Sequence, residues 1–298
     1  MAELDYFVVD VFTTRALEGN PLAVVFNTAA LTTERMQAIA REFNLSETTF
    51  VERRPIALER AEGVRVRIFT AREELAFAGH PTLGTASVLR REAPETLDGD
   101  TLRLALNAGT VPVRFEQQGE LVLAEMRQRD PEFGLELDPA EVARLIGLSV
   151  DDLALPPRVV STGTAFAIVV LRSAQALARL RVIEPEASEW LHERQARWFY
   201  VLGPEGACDD SQRPLWRARM QFYGGEDPAT GSAAGCAIAE LVERGRVAPE
   251  ERIIVRQGIE IGRPSMIFLS AGVLDSKICD VRVSGSTVSV ANGRLFLP

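Results

Sequence analysis

One short phrase occurs twice in this chain of 298 residues, and the second copy begins 147 residues after the first. Residues 80–86 read HPTLGTA and residues 227–233 read DPATGSA, so the two segments align without a gap. Self-similarity at half the chain length indicates a duplicated domain rather than a solenoid, whose repeats are far shorter. We therefore predict two related domains, residues 1–118 and residues 119–298, and leave open a return of the last strand to the first domain.

Short strands and a few helices account for most of the chain. β-Branched and aromatic runs predict strands at 6–12, 22–26 and 64–69. Apolar residues at helical spacing predict an amphipathic helix over 32–44. Each copy of the repeated phrase starts a further helix, over about 81–91 and about 229–244. One long helix per half among short strands predicts an α+β fold, in which each domain is a curled β-sheet or barrel around a central helix.

Composition excludes several classes of function. The net charge of −9 opposes binding to nucleic acid or to an anionic membrane through bulk charge. No stretch approaches the ~18 uninterrupted apolar residues of a membrane span, and the acidic first residues do not resemble a signal peptide. Three widely spaced cysteines are typical of reduced thiols in a cytoplasmic protein. Two histidines without a close cysteine pair argue against structural zinc.

The repeated phrase lies where two helices begin. Free backbone N–H groups and the positive end of the helix dipole favour oxygen anions there. Thr85 and Ser232 each offer a hydroxyl. Where two such halves face each other across a cleft, a small molecule is expected to bind.

The two copies differ in their first residue, which is His80 in one and Asp227 in the other. This difference predicts a site with distinct proton-handling groups. Each residue also has a structural explanation: a buried histidine can be satisfied by the core, and an aspartate before proline is an ordinary helix N-cap. His192 lies in a charged helical stretch and is expected at the surface.

Glu47 is the third candidate, at the point where the predicted helix gives way to a strand. Desolvation raises the pKa of a half-buried carboxyl group, which suits a general base. From the residues alone, a surface or capping role for Glu47 is the simpler interpretation.

The chain resembles the phenazine-biosynthesis PhzF-like family of isomerases, and the resemblance covers nearly its whole length. It is carried by five motifs in order: Gly19–Asn20–Pro21, residues 45–51, residues 77–86, residues 225–233, and Gln257–Gly258 with residues 262–265. The resemblance implies the diaminopimelate-epimerase-like fold of two pseudo-symmetric domains with a site between them. It also implies a homodimer that requires no metal or organic cofactor.

The reaction implied by the resemblance is a proton shift in a small carboxylated, cyclic substrate, similar to the isomerisation of trans-2,3-dihydro-3-hydroxyanthranilate. Glu47 would be the acid and base. His80 and Asp227 would position and polarise the substrate, and Ser232 with the Gly79 and Gly231 backbone would complete the hydrogen bonds. Preorganised donors make such a C–H proton sufficiently acidic because they stabilise the developing negative charge.

Two alternatives stay open. One is an amino-acid racemase or epimerase of the same fold, but those relatives use a cysteine from each half, and here His80 and Asp227 occupy the matching positions. The other is a non-catalytic protein that binds a small molecule. A nucleotide-binding function is disfavoured, since residues 231–235 lack the Gly-Lys-Ser/Thr ending of a P-loop.

Overall fold

The computed structural model describes residues 2–222 and 225–297. In chain order, its strands are β1 (Ala2–Val11), β2 (Asn20–Val25), β3 (Glu47–Glu52), β4 (Val64–Phe69), β5 (Glu74–Leu75), β6 (Thr101–Leu106), β7 (Gly109–Gln118), β8 (Leu121–Arg127), β9 (Glu132–Glu136), β10 (Arg158–Ser161), β11 (Ala165–Val170), β12 (Phe199–Cys208), β13 (Pro214–Arg219), β14 (Gln221–Phe222), β15 (Gly225–Glu226), β16 (Ile253–Gln257), β17 (Ser265–Leu274), β18 (Lys277–Gly285) and β19 (Thr287–Leu297). The α-helices are α1 (Thr33–Phe43), α2 (Ile56–Glu62), α3 (Gly79–Glu92), α4 (Pro139–Leu145), α5 (Glu186–Glu193) and α6 (Gly231–Glu243).

The chain divides into two compact units by its internal contacts. Unit 1 contains residues 1–127 together with 284–298, and unit 2 contains residues 128–283. Strand β19 pairs antiparallel with β1 over its whole length, which ties the end of the chain to unit 1.

Unit 1 is a mixed sheet folded around α3. Its strands follow the order β19, β1, β2, β3, β4, β6, β7, β8, and the pairs β2/β3 and β4/β6 are parallel. Helix α3 packs against β1, β2, β3, β6, β7, β8 and β19. Contacts on so many sides bury the first part of the helix completely, and the residues of α3 from Gly79 to Ala86 are all buried.

Unit 2 repeats this topology. Its strands follow the order β9, β10, β11, β12, β13, β16, β17, β18, and the pairs β11/β12 and β13/β16 are parallel. Both parallel pairs therefore occupy the same positions in the order as those of unit 1. Helix α6 takes the place of α3, packs against β10, β11, β12 and β17, and is buried along nearly its whole length. The predicted fold class, a curled sheet around a central helix in each half, is confirmed.

Small residues allow the strands to approach the central helices closely. A Cβ atom added to Gly84 would lie 2.6 Å from the Leu22 side chain and 2.7 Å from that of Val11. Because interiors are close-packed, even one extra methyl group there would push α3 away from β1 and β2. Gly84 thus fixes the depth at which α3 sits in unit 1, one helical turn after His80.

The two helices do not begin at equivalent places. Helix α3 starts at Gly79, so Pro81 lies inside its first turn as predicted. Helix α6 starts only at Gly231, two residues later than predicted, so Pro228 lies outside it. Non-helical hydrogen bonds hold the backbone before α6: the Thr230 N–H donates to the Gln257 side chain at Oε1, and the Asp227 N–H donates to the backbone carbonyl of Met220.

Within the described residues, no helix combines the length and the apolar character that crossing a membrane requires.

Candidate active site

In unit 1, two of the predicted site residues, Glu47 and His80, lie together. Helix α1 ends where Asn44 adopts a left-handed conformation, which lets the chain turn into β3, and Glu47 is the first residue of that strand. The parallel register of β2 and β3 pairs Glu47 with Leu22. His80, the second residue of α3, reaches the same place from the helix.

The two side chains are in contact, with His80 Nε2 lying 3.3 Å from Glu47 Oε2. The His80 side chain is 6% exposed and that of Glu47 is 16% exposed. Glu47 is therefore the member of the pair that a bound molecule can reach, while His80 lies behind it.

The environment of His80 keeps its ring neutral. Burial lowers the pKa of His80 from 6.5 to about 3, and a hydrogen bond with the Pro21 backbone opposes this shift only in part. Nε2 makes no hydrogen bond within the described residues, so we assign the Pro21 bond to Nδ1–H. The Nε2 lone pair then faces Glu47, and a proton on the Glu47 carboxyl group turns this contact into a hydrogen bond.

Thr85 and Gly79 have different surroundings. Gly79 is the first residue of α3 and is buried. Thr85 is fully buried one turn further along, and its hydroxyl lies 2.8 Å from that of Thr49 on β3. This bond makes Thr85 a support for the strand that carries Glu47; its predicted contact with substrate stays a prediction.

In unit 2, hydrogen bonds fix the predicted site residue Asp227. The Thr230 hydroxyl donates to Asp227 Oδ2 at 2.6 Å, and Gln257 Nε2 donates to the Asp227 carbonyl at 2.8 Å. Gln257 Nε2 also donates to Thr230 Oγ1 at 2.9 Å. The Tyr200 hydroxyl, fully buried, donates to Gln257 Oε1 at 3.1 Å. Gln257 therefore holds the segment before α6 through both its amide atoms.

The turn that carries Gln257 fits tightly against this segment. Gly258 has a φ of +75°, and a Cβ atom there would lie 2.3 Å from the Arg263 carbonyl oxygen and 2.7 Å from that of Pro228. The Ser265 hydroxyl donates to the same Pro228 carbonyl at 2.9 Å. The motif of residues 257–265 thus has a physical role, which is to fix the backbone from Asp227 to Thr230.

The first turn of α6 carries Gly231 and Ser232. The Gly231 carbonyl accepts a hydrogen bond from Gln128 Nε2 at 2.9 Å. The Ser232 side chain is partly exposed and makes no hydrogen bond within the part of the chain that the structure describes. Asp227 is also partly exposed, so both side chains are accessible to a ligand.

The sequence did not identify Pro21, Thr230 or Gln257 as individual contributors. Gly19–Asn20–Pro21 and Gln257–Gly258 were visible only as motifs, because their contacts join residues 27 to 59 positions apart. Cys236, the cysteine nearest to these groups in the sequence, is fully buried, and burial raises its pKa to about 11. A buried thiol that stays protonated does not serve as a proton-abstracting base.

The carboxyl group of Glu47 thus contacts the buried, neutral imidazole of His80 within a unit whose topology occurs twice in the chain. The sequence profile described as phenazine biosynthesis-like protein matches residues 9–293. The chain therefore belongs to the phenazine biosynthesis-like (PhzF) family.

Known proteins show how far the similarity extends. The chain is 38% identical to trans-2,3-dihydro-3-hydroxyanthranilate isomerase from Pseudomonas aeruginosa over 296 residues, which covers 98% of this chain and 99% of that enzyme. It superimposes on a PhzF-family protein from Bacillus anthracis with a TM-score of 0.86 and 27% identity, over 100% of both chains. A hydroxyproline epimerase from Agrobacterium vitis shares the fold, with a TM-score of 0.62 and 13% identity over 98% of this chain and 92% of that one.

The low pKa of His80 predicts a specific pH dependence of stability. Between pH 6.5 and about 3, the unfolded chain binds a proton at this position that the folded protein excludes. The stabilisation is thus fully present above pH 6.5 and is lost as the pH falls. Between pH 7 and pH 5, His80 should account for about 2 kcal/mol of the decrease in the free energy of unfolding.

Urea denaturation of wild type and His80→Gln at both pH values measures this contribution. His192→Gln is the matched control, because His192 is exposed on α5 and is the other histidine of the chain. Equal pH dependence in wild type and His80→Gln would show that the buried ring does not exclude the proton.

The side chain of Gln257 makes four hydrogen bonds, so its removal should lower the free energy of unfolding substantially. Gln257→Leu leaves the Tyr200 hydroxyl and the Thr230 N–H buried without this acceptor, which should lower the free energy of unfolding by about 2–4 kcal/mol. Tyr200→Phe removes one of the four hydrogen bonds and should cost only about 1 kcal/mol. Urea denaturation compares them; a Gln257→Leu protein as stable as Tyr200→Phe would contradict the assigned role.

Proposed function

We propose that this protein is a cofactor-independent isomerase that moves a proton between two carbon atoms of a small carboxylated, cyclic substrate. The observation that carries the proposal is the contact of Glu47 with a buried, neutral His80. The 38% identical relative named for trans-2,3-dihydro-3-hydroxyanthranilate supports a substrate of that class.

Glu47 performs both proton transfers in this proposal. Its carboxylate removes a proton from a substrate carbon, and the resulting carboxyl group returns the proton to a second carbon, giving an enol that becomes the ketone. No net proton is gained or lost. His80 Nε2 lies 3.3 Å from Glu47 Oε2 and accepts a hydrogen bond from the carboxyl group whenever Glu47 holds the proton. A neutral imidazole can do this because it carries a free lone pair.

Asp227 is assigned to substrate binding rather than to proton transfer from carbon. Its carboxylate accepts a hydrogen bond from Thr230, which favours the charged form and fixes its direction. A fixed carboxylate suits a substrate amino group. Ser232, with its accessible hydroxyl, and the backbone of Gly79 and Gly231 supply further hydrogen bonds in the proposal.

The test uses NMR in D₂O with dihydro-hydroxyanthranilate as substrate. Glu47→Gln should still bind substrate but lose deuterium incorporation and isomerisation by about 10²–10⁴-fold, the usual contribution of general acid/base catalysis. Glu52→Gln is the matched control, because Glu52 ends the same strand that Glu47 begins, and its activity should equal that of wild type.

The Asp227→Ala variant distinguishes substrate binding from proton transfer. It should raise KM as well as lower kcat, whereas the Glu47→Gln effect should fall on kcat alone. An active Glu47→Gln enzyme would remove Glu47 from the mechanism. Substrate binding without any exchange in the wild type would instead favour the non-catalytic binding protein.

By the same resemblance, we propose that the protein acts in the cytoplasm as a homodimer, without nucleic acid or membrane partners. Light scattering coupled to size-exclusion chromatography should give about twice the chain mass of 32.7 kDa. A single species at the monomer mass over the micromolar range would contradict the dimer.

A further inference from the structure

A cavity of about 410 Å³ lies in unit 1 at the C-terminal end of α3. Arg90, whose guanidinium group lies at this cavity, follows His80 by ten residues on α3, so the two Cα atoms are about 15 Å apart along the helix axis. Neither Glu47 nor His80 lines the cavity. Its size is within the range of small-molecule sites, and it is separate from the catalytic pair.

The basic group at this cavity is Arg90. Its guanidinium carbon lies 5.3 Å from the centre of the Phe115 ring. Within the described residues it makes no ion pair and no hydrogen bond. Stacking on an aromatic ring orients the planar guanidinium and leaves its N–H edges directed away from the ring, where they fit a carboxylate. The helix dipole accounts for a basic residue in the last turn of α3, but it does not account for the rest of the lining.

The lining also includes two residues, Ser286 and Thr287, whose hydroxyl groups lack a hydrogen-bond partner among the described residues. Ser286 Oγ and Thr287 Oγ1 are buried, and neither has a hydrogen-bond partner within residues 2–222 and 225–297. Ser286 is only 9% exposed, and its carbonyl accepts hydrogen bonds from the Phe12 and Thr13 N–H groups, which fixes the segment. A buried hydroxyl group left without a partner costs about 1–3 kcal/mol. A ligand with acceptor oxygens recovers that cost.

The charge of the lining limits the ligand to a monoanion. Arg91 also reaches the cavity, but it is engaged by Glu92 Oε1 at 2.6 Å and by the Ser289 hydroxyl. Glu120 adds one negative charge. Arg90 is thus the cation available to a ligand, which fits one carboxylate and disfavours a multiply charged phosphate ester.

Thr13, Thr14 and Ser87 also line the cavity, and its apolar part comes from neighbouring strands: Phe115 on β7, Leu121 and Val122 on β8, and Val288 on β19. Such a surface contacts the hydrocarbon body of a ligand whose polar end lies at Arg90 and Ser286. We propose that this cavity is a second binding site, selective for a small monocarboxylate with an aromatic or branched apolar body.

Benzoate is the probe and neutral benzamide its matched control, both measured by titration calorimetry on the full chain. Benzoate should bind saturably, and benzamide at least 10-fold more weakly. Arg90→Gln should weaken benzoate binding by at least 10-fold, because it removes the cation while keeping a side chain over Phe115. Arg41→Gln, at an exposed position of α1 in the same unit, should have no effect.

A further variant tests the hydroxyl group at the cavity, and thermal melts test whether the variants are folded. Ser286→Ala should weaken benzoate binding about 3- to 10-fold without altering the backbone bonds to Phe12 and Thr13. Thermal melts establish that Arg90→Gln and Ser286→Ala are folded; if one of them is not, the other still provides the test.

The site is distinguished from the catalytic residues by Glu47→Gln and Asp227→Ala, which should bind benzoate as wild type does. The proposal does not depend on isomerase activity, since no turnover is measured. It is overturned if benzoate does not saturate, if benzamide binds equally well, or if Arg90→Gln and Ser286→Ala have no effect. Loss of binding in Glu47→Gln or Asp227→Ala would also overturn it, because benzoate would then be binding at the catalytic residues.

Discussion

The contact between Glu47 and His80 depends on one constraint, which is the parallel pairing of β2 with β3. Its register places Glu47 beside Leu22, directly after the residue whose backbone bonds to the His80 ring. A shift of one residue would turn Glu47 to the opposite face of the sheet and separate it from His80. Gly84 maintains the same geometry from the helix side, because it lets α3 lie directly on Leu22.

The two units share one topology, but the residues that begin the two copies of the repeated phrase differ in charge. In unit 1, burial removes the charge from His80 and leaves a lone pair facing a carboxyl group. In unit 2, a partly exposed Asp227 receives a hydrogen bond from Thr230, an arrangement that favours its charge. A duplicated scaffold therefore carries one group suited to accepting a hydrogen bond and one suited to holding a cation.

A single difference between the two copies of the repeated phrase accounts for the different starting points of α3 and α6. Leu83 in the first copy aligns with Thr230 in the second. Leu83 is fully buried and offers the backbone no hydrogen bond, so α3 begins before it and includes His80. Thr230 bonds to Asp227 and Gln257, which keeps residues 227–230 out of α6. The same shift explains why Thr85 lies in the core while the aligned Ser232 is accessible on the first turn of its helix.

The sequence by itself determined the duplication, the fold class and the identity of the family, since each of these is recorded in residue types and spacings along the chain. It also marked the segments that contain Glu47, His80 and Asp227. Only the tertiary structure decided that His80 is neutral, that Gln257 and Tyr200 support Asp227, and that Arg90 and Ser286 line a separate cavity. Burial and hydrogen bonding between residues far apart in the chain depend on packing. No local pattern contains that information, because the helix starts five residues later in the second copy of the repeated phrase than in the first.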